Sequence, residues 1–241
     1  MLLKDQTAFI TGAGRGIGRA IAWTFAEQGC AIAAAARTEL ELASTVAGVQ
    51  ERGQRALALP CDVSEVEQVE RSVAATIEAF GQVDILVNNA GYACFKPFTE
   101  LTVEEWQRTL DVNLTGTFLC TRAVLPGMMA RRAGRILNIS SVSALKPIDK
   151  QSAYCASKYG VNGLTATLAL ELRAHGIAVH ALCPGGVATR LSEEAMPERD
   201  KSDWMTPADV AHTALYLATL GARATTDIIH LRRFGSEPLG R

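Results

Sequence analysis

Short apolar runs alternate with longer amphipathic stretches along most of this chain. The runs fall at residues 7–11, 30–35, 55–60, 85–88, 134–140, 178–183 and 227–231. Strands covered on both faces read as continuous apolar segments of this length, whereas strands with one wet face alternate. Between the first two runs, Ile17, Ala20, Ile21, Phe25 and Ala26 recur at three-to-four-residue spacing, and Gly29 follows as a helix stop. The alternation predicts an α/β chain: one doubly wound sheet of about seven parallel strands, helices on both faces, in a single domain over residues 1–241.

Charge changes this picture only by exclusion. Lys and Arg number 24 against 25 Asp and Glu, a net charge of -1. Neither nucleic acid nor an anionic membrane surface is expected as a partner, because each would need a basic face. The cluster Arg131, Arg132 and Arg135 reads as a solvated face. The longest apolar run, residues 30–36, is far below the roughly 18 residues of a membrane span. Met1 to Asp5 lack an export signal, so a cytoplasmic location is expected. Six cysteines stand 26 to 35 residues apart with no C-x-x-C, which predicts neither a disulfide framework nor a metal site. Of these, Cys155 and Cys183 are expected near the chemistry below as small apolar side chains. His175, His180, His212 and His230 show no ligand spacing and are given no chemistry.

The first run leads directly into Thr11-Gly12-Ala13-Gly14-Arg15-Gly16-Ile17-Gly18. A turn without Cβ atoms lets backbone N–H groups approach a pyrophosphate at the positive end of the following helix. The spacing G-x-x-x-G-x-G differs from the common dinucleotide fingerprint G-x-G-x-x-G. An acidic residue about 20 positions on would bind the ribose hydroxyls of NAD, but Ala36 and Arg37 stand there. With no carboxylate expected at that corner, Arg37 would pair with a 2′-phosphate while Arg15 supports it. NADP(H) is favoured and NAD(H) remains open.

Farther along, Tyr154 and Lys158 stand four apart at the start of an Ala-rich helical stretch, on one face. An ammonium beside a phenol lowers its pKa from near 10 and makes it a general acid/base. Thirteen residues before the tyrosine, a strand ends at Ser140-Ser141, which places Ser141 at the carboxyl edge of the sheet, where open α/β sheets bind ligands.

Taken in order, Thr11-Gly12-x-x-x-Gly16-Ile17-Gly18, Asp62-Val63, Asn88-Asn89-Ala90-Gly91, Asn113, Ser141, Tyr154-x-x-x-Lys158 and Pro184-Gly185-Gly186-x-x-Thr189 cover nearly the whole chain. This series resembles the short-chain dehydrogenase/reductase family, with its Rossmann-type fold. The resemblance implies that Tyr154 exchanges a proton with the substrate oxygen, and that Ser141 holds that oxygen. It implies that Lys158 binds the nicotinamide ribose and that Asn113 anchors a relaying water. Cofactor contacts are implied at Gly12, Arg15, Gly16, Ile17, Gly18, Arg37, Asp62, Val63, Asn89, Ala90, Gly91, Tyr154, Lys158, Pro184, Gly185, Val187 and Thr189.

Two segments depart from the family pattern. The end of the chain lacks the usual Val-Asp-Gly-Gly-like segment, so the tail 232–241 leaves the implied homo-oligomer, dimer or tetramer, without its frequent contact region. Arg232 and Arg233 could be solvated or paired across an interface. The segment 144–151 carries Lys146 and Lys150 and is expected at the pocket mouth. Residues 190–204 are expected to form a substrate lid, over a pocket lined by Tyr92, Phe95, Ile148, Met196 and Trp204. The expected activity is NADP(H)-dependent interconversion of a carbonyl and an alcohol, with 3-oxoacyl-thioester reduction the leading substrate class. NAD-dependent secondary-alcohol, sugar or steroid oxidation is the alternative. A dinucleotide-binding protein without turnover is the alternative of another class.

Overall fold

The computed structural model describes residues 1–221 and 223–239. All seven predicted strands are present, with ends within one residue of expectation: β1 Thr7–Thr11, β2 Ala31–Ala36, β3 Ala56–Pro60, β4 Ile85–Asn88, β5 Gly134–Ile139, β6 Ile177–Pro184 and β7 Ile228–Leu231. They form one parallel sheet in the order β3-β2-β1-β4-β5-β6-β7. The chain winds outward from β1 to β3, then returns to build the other half from β4. The reversal leaves a crevice above the carboxyl ends of β1 and β4.

The helices are α1 Gly16–Glu27, α2 Glu39–Glu51, α3 Val66–Phe80, α4 Val103–Leu110, α5 Gly116–Arg131, α6 Ser152–Leu172, α7 Arg190–Ala195 and α8 Pro207–Ala218. Successive strand side chains point to opposite faces, and the two cores divide accordingly. Ala8 and Ile10 of β1 pack with Ile21 and Phe25 of α1, and with Val210, Ala214 and Leu217 of α8. Phe9 packs on the opposite face with Val69 and Val73 of α3, and with Leu119, Val124 and Met128 of α5. The runs of the inner strands β1 and β4 are therefore sealed on both sides, which is why their sequence carries no alternation, while the edge strands β3 and β7 keep exposed positions at Ala58 and Ile228.

Between α4 and α5, residues Asp111–Thr115 form one π-helical turn that holds Asn113 fully buried. The expected solvated arginine face is only partly so. Arg131 donates to Val83 O at 2.8 Å, and the half-buried Arg135 donates to Leu220 O, because both reach backbone carbonyls left unpaired at segment ends.

Candidate active site

Above the crevice lies a cavity of about 800 Å³, running from the glycine turn to the 190–204 segment. The glycine turn is held by side chains that replace ordinary turn contacts. Asn89 donates from Nδ2 to Thr11 O at 2.9 Å and Gly12 O at 3.2 Å, while Thr11 Oγ1 accepts Asn89 N–H at 2.9 Å and Ala90 N–H at 3.0 Å. At Gly12, φ is +62° and a Cβ would lie 2.8 Å from Ala90 Cα, so only glycine fits. Arg15, at the N-cap of α1, supplies no side-chain cap, and Gly12, Gly14, Gly16 and Ile17 line the cavity. An uncapped helix N-terminus behind a Cβ-free cradle fits a dinucleotide pyrophosphate.

Most expected cofactor residues border this cavity: Gly12, Arg15, Gly16, Ile17, Arg37, Asp62, Val63, Asn89, Ala90, Gly91, Pro184, Gly185, Val187 and Thr189. Gly18 does not. A Cβ there would lie 2.4 Å from Gly12 O and 2.5 Å from Asn89 Nδ2, so Gly18 makes room for the cradle from behind. The expectation of a corner free of carboxylate is corrected as well. Glu41, in the first turn of α2, lines the cavity beside Ala36, Arg37 and Thr38. Its Oε1 accepts from Arg15 Nη1 at 3.2 Å, so Arg15 has an acidic partner already.

At the other end, β5 delivers Ser141 and the first turns of α6 deliver Tyr154 and Lys158 into the same cavity. Lys158 is 4% exposed, and its Nζ donates to Ile139 O at 2.9 Å while standing 5.7 Å from the centroid of the Tyr154 ring. Phe95 meets that ring edge-on at 5.3 Å. The expected lowering of the phenol pKa by Lys158 is not found. Withdrawal from bulk water pushes Tyr154 up to about 12, with hydrogen bonding to Ser141 opposing, and the same withdrawal brings Lys158 down to about 8. Tyr154 therefore holds its proton through the neutral range.

Ser141 is oriented by residues that the motif reading passed over. Ser143 N–H donates to Ser141 Oγ at 3.1 Å, and Ser143 Oγ donates to Gln151 Oε1 at 2.8 Å. With its acceptor side engaged from Ser143, the Ser141 hydroxyl can direct its own proton either to Ser143 Oγ, 3.2 Å away, or to a substrate oxygen. The Ser-x-Ser spacing and a glutamine three residues before Tyr154 were the available signals.

Asn113 does not itself line the cavity. Its Oδ1 accepts Tyr92 N–H at 2.8 Å, and Nδ2 donates to Tyr92 O and Ser157 Oγ, both at 3.0 Å. With those groups engaged, it clamps the Tyr92 loop to α6 and positions the site.

The apolar residues Tyr92, Phe95, Ile148, Met196 and Trp204 all line the cavity. Lys146 and Lys150 do not line it; both side chains stand exposed to solvent. Arg233 does: it donates to both carboxylate oxygens of Asp203 at 2.8 Å and lies 5.7 Å from the Trp204 ring centroid. The tail is thus strapped to the 190–204 segment within the chain through Arg233 and Asp203. Arg232 remains exposed, its Nη1 donating to Arg233 O and Phe234 O of its own tail, while residues 240–241 of that tail lie outside the described residues. Cys183 is buried, with Sγ 3.6 Å from the Asn162 side chain, and Cys155 is half-buried.

The family model described as short chain dehydrogenase matches residues 6–200. A 3-oxoacyl-[acyl-carrier-protein] reductase from Synechocystis is 36% identical over 228 residues, covering 92% of each chain. The 3beta-hydroxysteroid dehydrogenase 1 of Eggerthella lenta is 40% identical over 229 residues, covering 90% of this chain and 88% of its own. A crystal structure of a metagenomic short-chain oxidoreductase in complex with NADP superposes with a TM-score of 0.85 at 32% identity, covering 97% of this chain and 99% of that one. With the strand order and the Ser141, Tyr154 and Lys158 cluster already in place, these likenesses establish that the chain is an oxidoreductase of the short-chain dehydrogenase/reductase family.

Proposed function

We propose that this enzyme is an NADP(H)-dependent reductase of a ketone or aldehyde, running also in the alcohol-oxidising direction. One observation carries the reading: Ser141, Tyr154 and Lys158 open into the same cavity as the uncapped start of α1 and its glycine cradle. When bound, the nicotinamide supplies or accepts the hydride. Ser141 donates a hydrogen bond to the substrate oxygen, and Tyr154 gives that oxygen its phenolic proton. Lys158 places positive charge beside the phenolate as it forms. Asn113 acts at one remove, by holding the Tyr92 loop and α6 in place. A binding protein without turnover would have no use for this set, which makes the non-catalytic reading the weaker one.

Arg37 at the rim of the adenosine end supports NADP(H) over NAD(H), as does the NADP in the related oxidoreductase. The apolar lining from Tyr92 to Trp204 supports a carbonyl carried on an apolar body, such as a 3-oxoacyl thioester or a steroid, the groups named for two relatives. Residues 190–204 serve as a lid, strapped by Arg233. No helix among the described residues is long and apolar enough to cross a membrane. We place the enzyme in the cytoplasm as a dimer or tetramer in which apolar side chains exposed on α5 and α6, among them Phe118, Met129 and Leu170, are covered.

The test is nicotinamide oxidation by the purified protein with NADPH and NADH over β-ketoacyl thioesters, keto-steroids, simple ketones and aldehydes. Turnover with NADPH preferred is expected. Tight cofactor binding without turnover on any carbonyl would favour the non-catalytic reading.

A further inference from the structure

Glu41 sits where three elements meet. Its Oε1 binds Arg15 of the glycine turn at 3.2 Å and lies 3.5 Å from Nη1 of Arg190, the first residue of α7. Arg190 is shared, since its Nε also binds Glu194 at 2.7 Å. A Cβ on Gly14 would fall 3.2 Å from Glu41 Oε2, which sets the carboxylate directly against the cradle. Arg37 stands on the same rim. One anion therefore engages two guanidinium groups at the corner where a 2′-phosphate is expected. The side chain is 24% exposed, so its charge is neither freely hydrated nor locked in a dry interior.

Resting on the NADP(H) reading above, we propose that Glu41 is a specificity-determining residue that competes with the 2′-phosphate for Arg15 and Arg190. An incoming phosphate must draw these guanidinium groups away from the carboxylate and then lie near a like charge. Both effects weaken the phosphorylated cofactor, and neither acts on the unphosphorylated one. The residue thereby moderates a preference that Arg15 and Arg37 alone would make steeper. If Glu41 instead accepted the ribose hydroxyls, its loss would weaken NADH. If it were only a structural partner, its loss would shift both cofactors together.

The experiment is a fluorescence titration of NADPH and NADH binding to the full chain, comparing wild type with E41Q, E41D, R15Q and the double variant E41Q/R15Q. E41Q is expected to tighten NADPH about three- to fivefold, the range of a partly exposed ion pair, and to leave NADH within about twofold. In the R15Q background the gain shrinks by more than half, and high salt diminishes it in either background. E41D, which draws the carboxylate back by one methylene, shows a smaller gain of the same sign and serves if E41Q does not fold. Unchanged or weaker NADPH binding in both variants, with wild type still preferring NADPH, overturns the competition and leaves the cofactor reading standing. Wild type preferring NADH, with E41Q weakening it, overturns both and makes Glu41 the ribose acceptor.

Discussion

At the glycine turn, recognition is made of backbone. Open N–H groups of α1, a positive-φ glycine and the Asn89 tether shape the cradle, and added atoms are what it cannot accept. At the carboxyl end of β5 and the first turns of α6 the site is made of side chains, each acting through a single polar atom, with Ser141 and Lys158 held by Ser143 and Ile139. The difference teaches what each end is vulnerable to. A backbone cradle fails when something is added, whereas a side-chain site fails when something is taken away.

Four substitutions would sharpen or break that contrast. Tyr154→Phe removes only the proton donor. Turnover should fall about 10³-fold or more, with NADPH affinity within about twofold of wild type, as steady-state rates and titration would show. Surviving turnover would mean that the proton comes from elsewhere. Gly18→Ala adds one carbon 2.4 Å from Gly12 O and should destabilise the fold by about 1–3 kcal/mol while weakening cofactor binding about tenfold or more. A normal melting curve with normal affinity would show that the cradle yields after all. Ser143→Ala takes away the hydroxyl between Ser141 and Gln151, and kcat should drop about tenfold with KM little changed.

The smallest effect concerns stability. Lys158 has its pKa lowered to about 8 in the fold against 10.5 for the ordinary side chain, so between those values the unfolded chain binds the extra proton. Wild-type stability from this group should therefore rise with pH across that window. Below it, folding carries the whole penalty of a buried charge. Lys158→Met should abolish turnover yet raise Tm at pH 7 by about 3 °C, with the gap narrowing in melts at pH 9.5. A lower Tm would show that the bond to Ile139 O outweighs the desolvation.

The sheet was legible because its information is local. An apolar run such as Ile85–Asn88 states its own burial, and Ile17 through Ala26 states its own period. The short-range motifs were legible for the same reason, since Tyr154 and Lys158 are joined by one helical turn. What escaped were pairings closed only by tertiary structure. Glu41 reaches Arg15 across 26 residues and Arg233 reaches Asp203 across 30, and no period or spacing announces either contact. Asn113 was found by its motif, but its contacts to Tyr92 and Ser157 were not, because a motif does not show which polar atoms its residues engage. Gly18 was assigned to the ligand for the same reason: a glycine is named by its letter, not by the side from which it is crowded.

The single π turn at Asp111–Thr115 also sets a phase. A π bulge amounts to one residue inserted into a continuous helical path, and one residue corresponds to about 100° of rotation. Removing that residue to restore regular winding would turn all of α5 about its axis, carrying Leu119, Val124 and Met128 away from the sheet while moving Asn113 off Tyr92. The same residue thus keys the helix to the core and the loop to the site, so neither can be retuned by insertion or deletion without detuning the other.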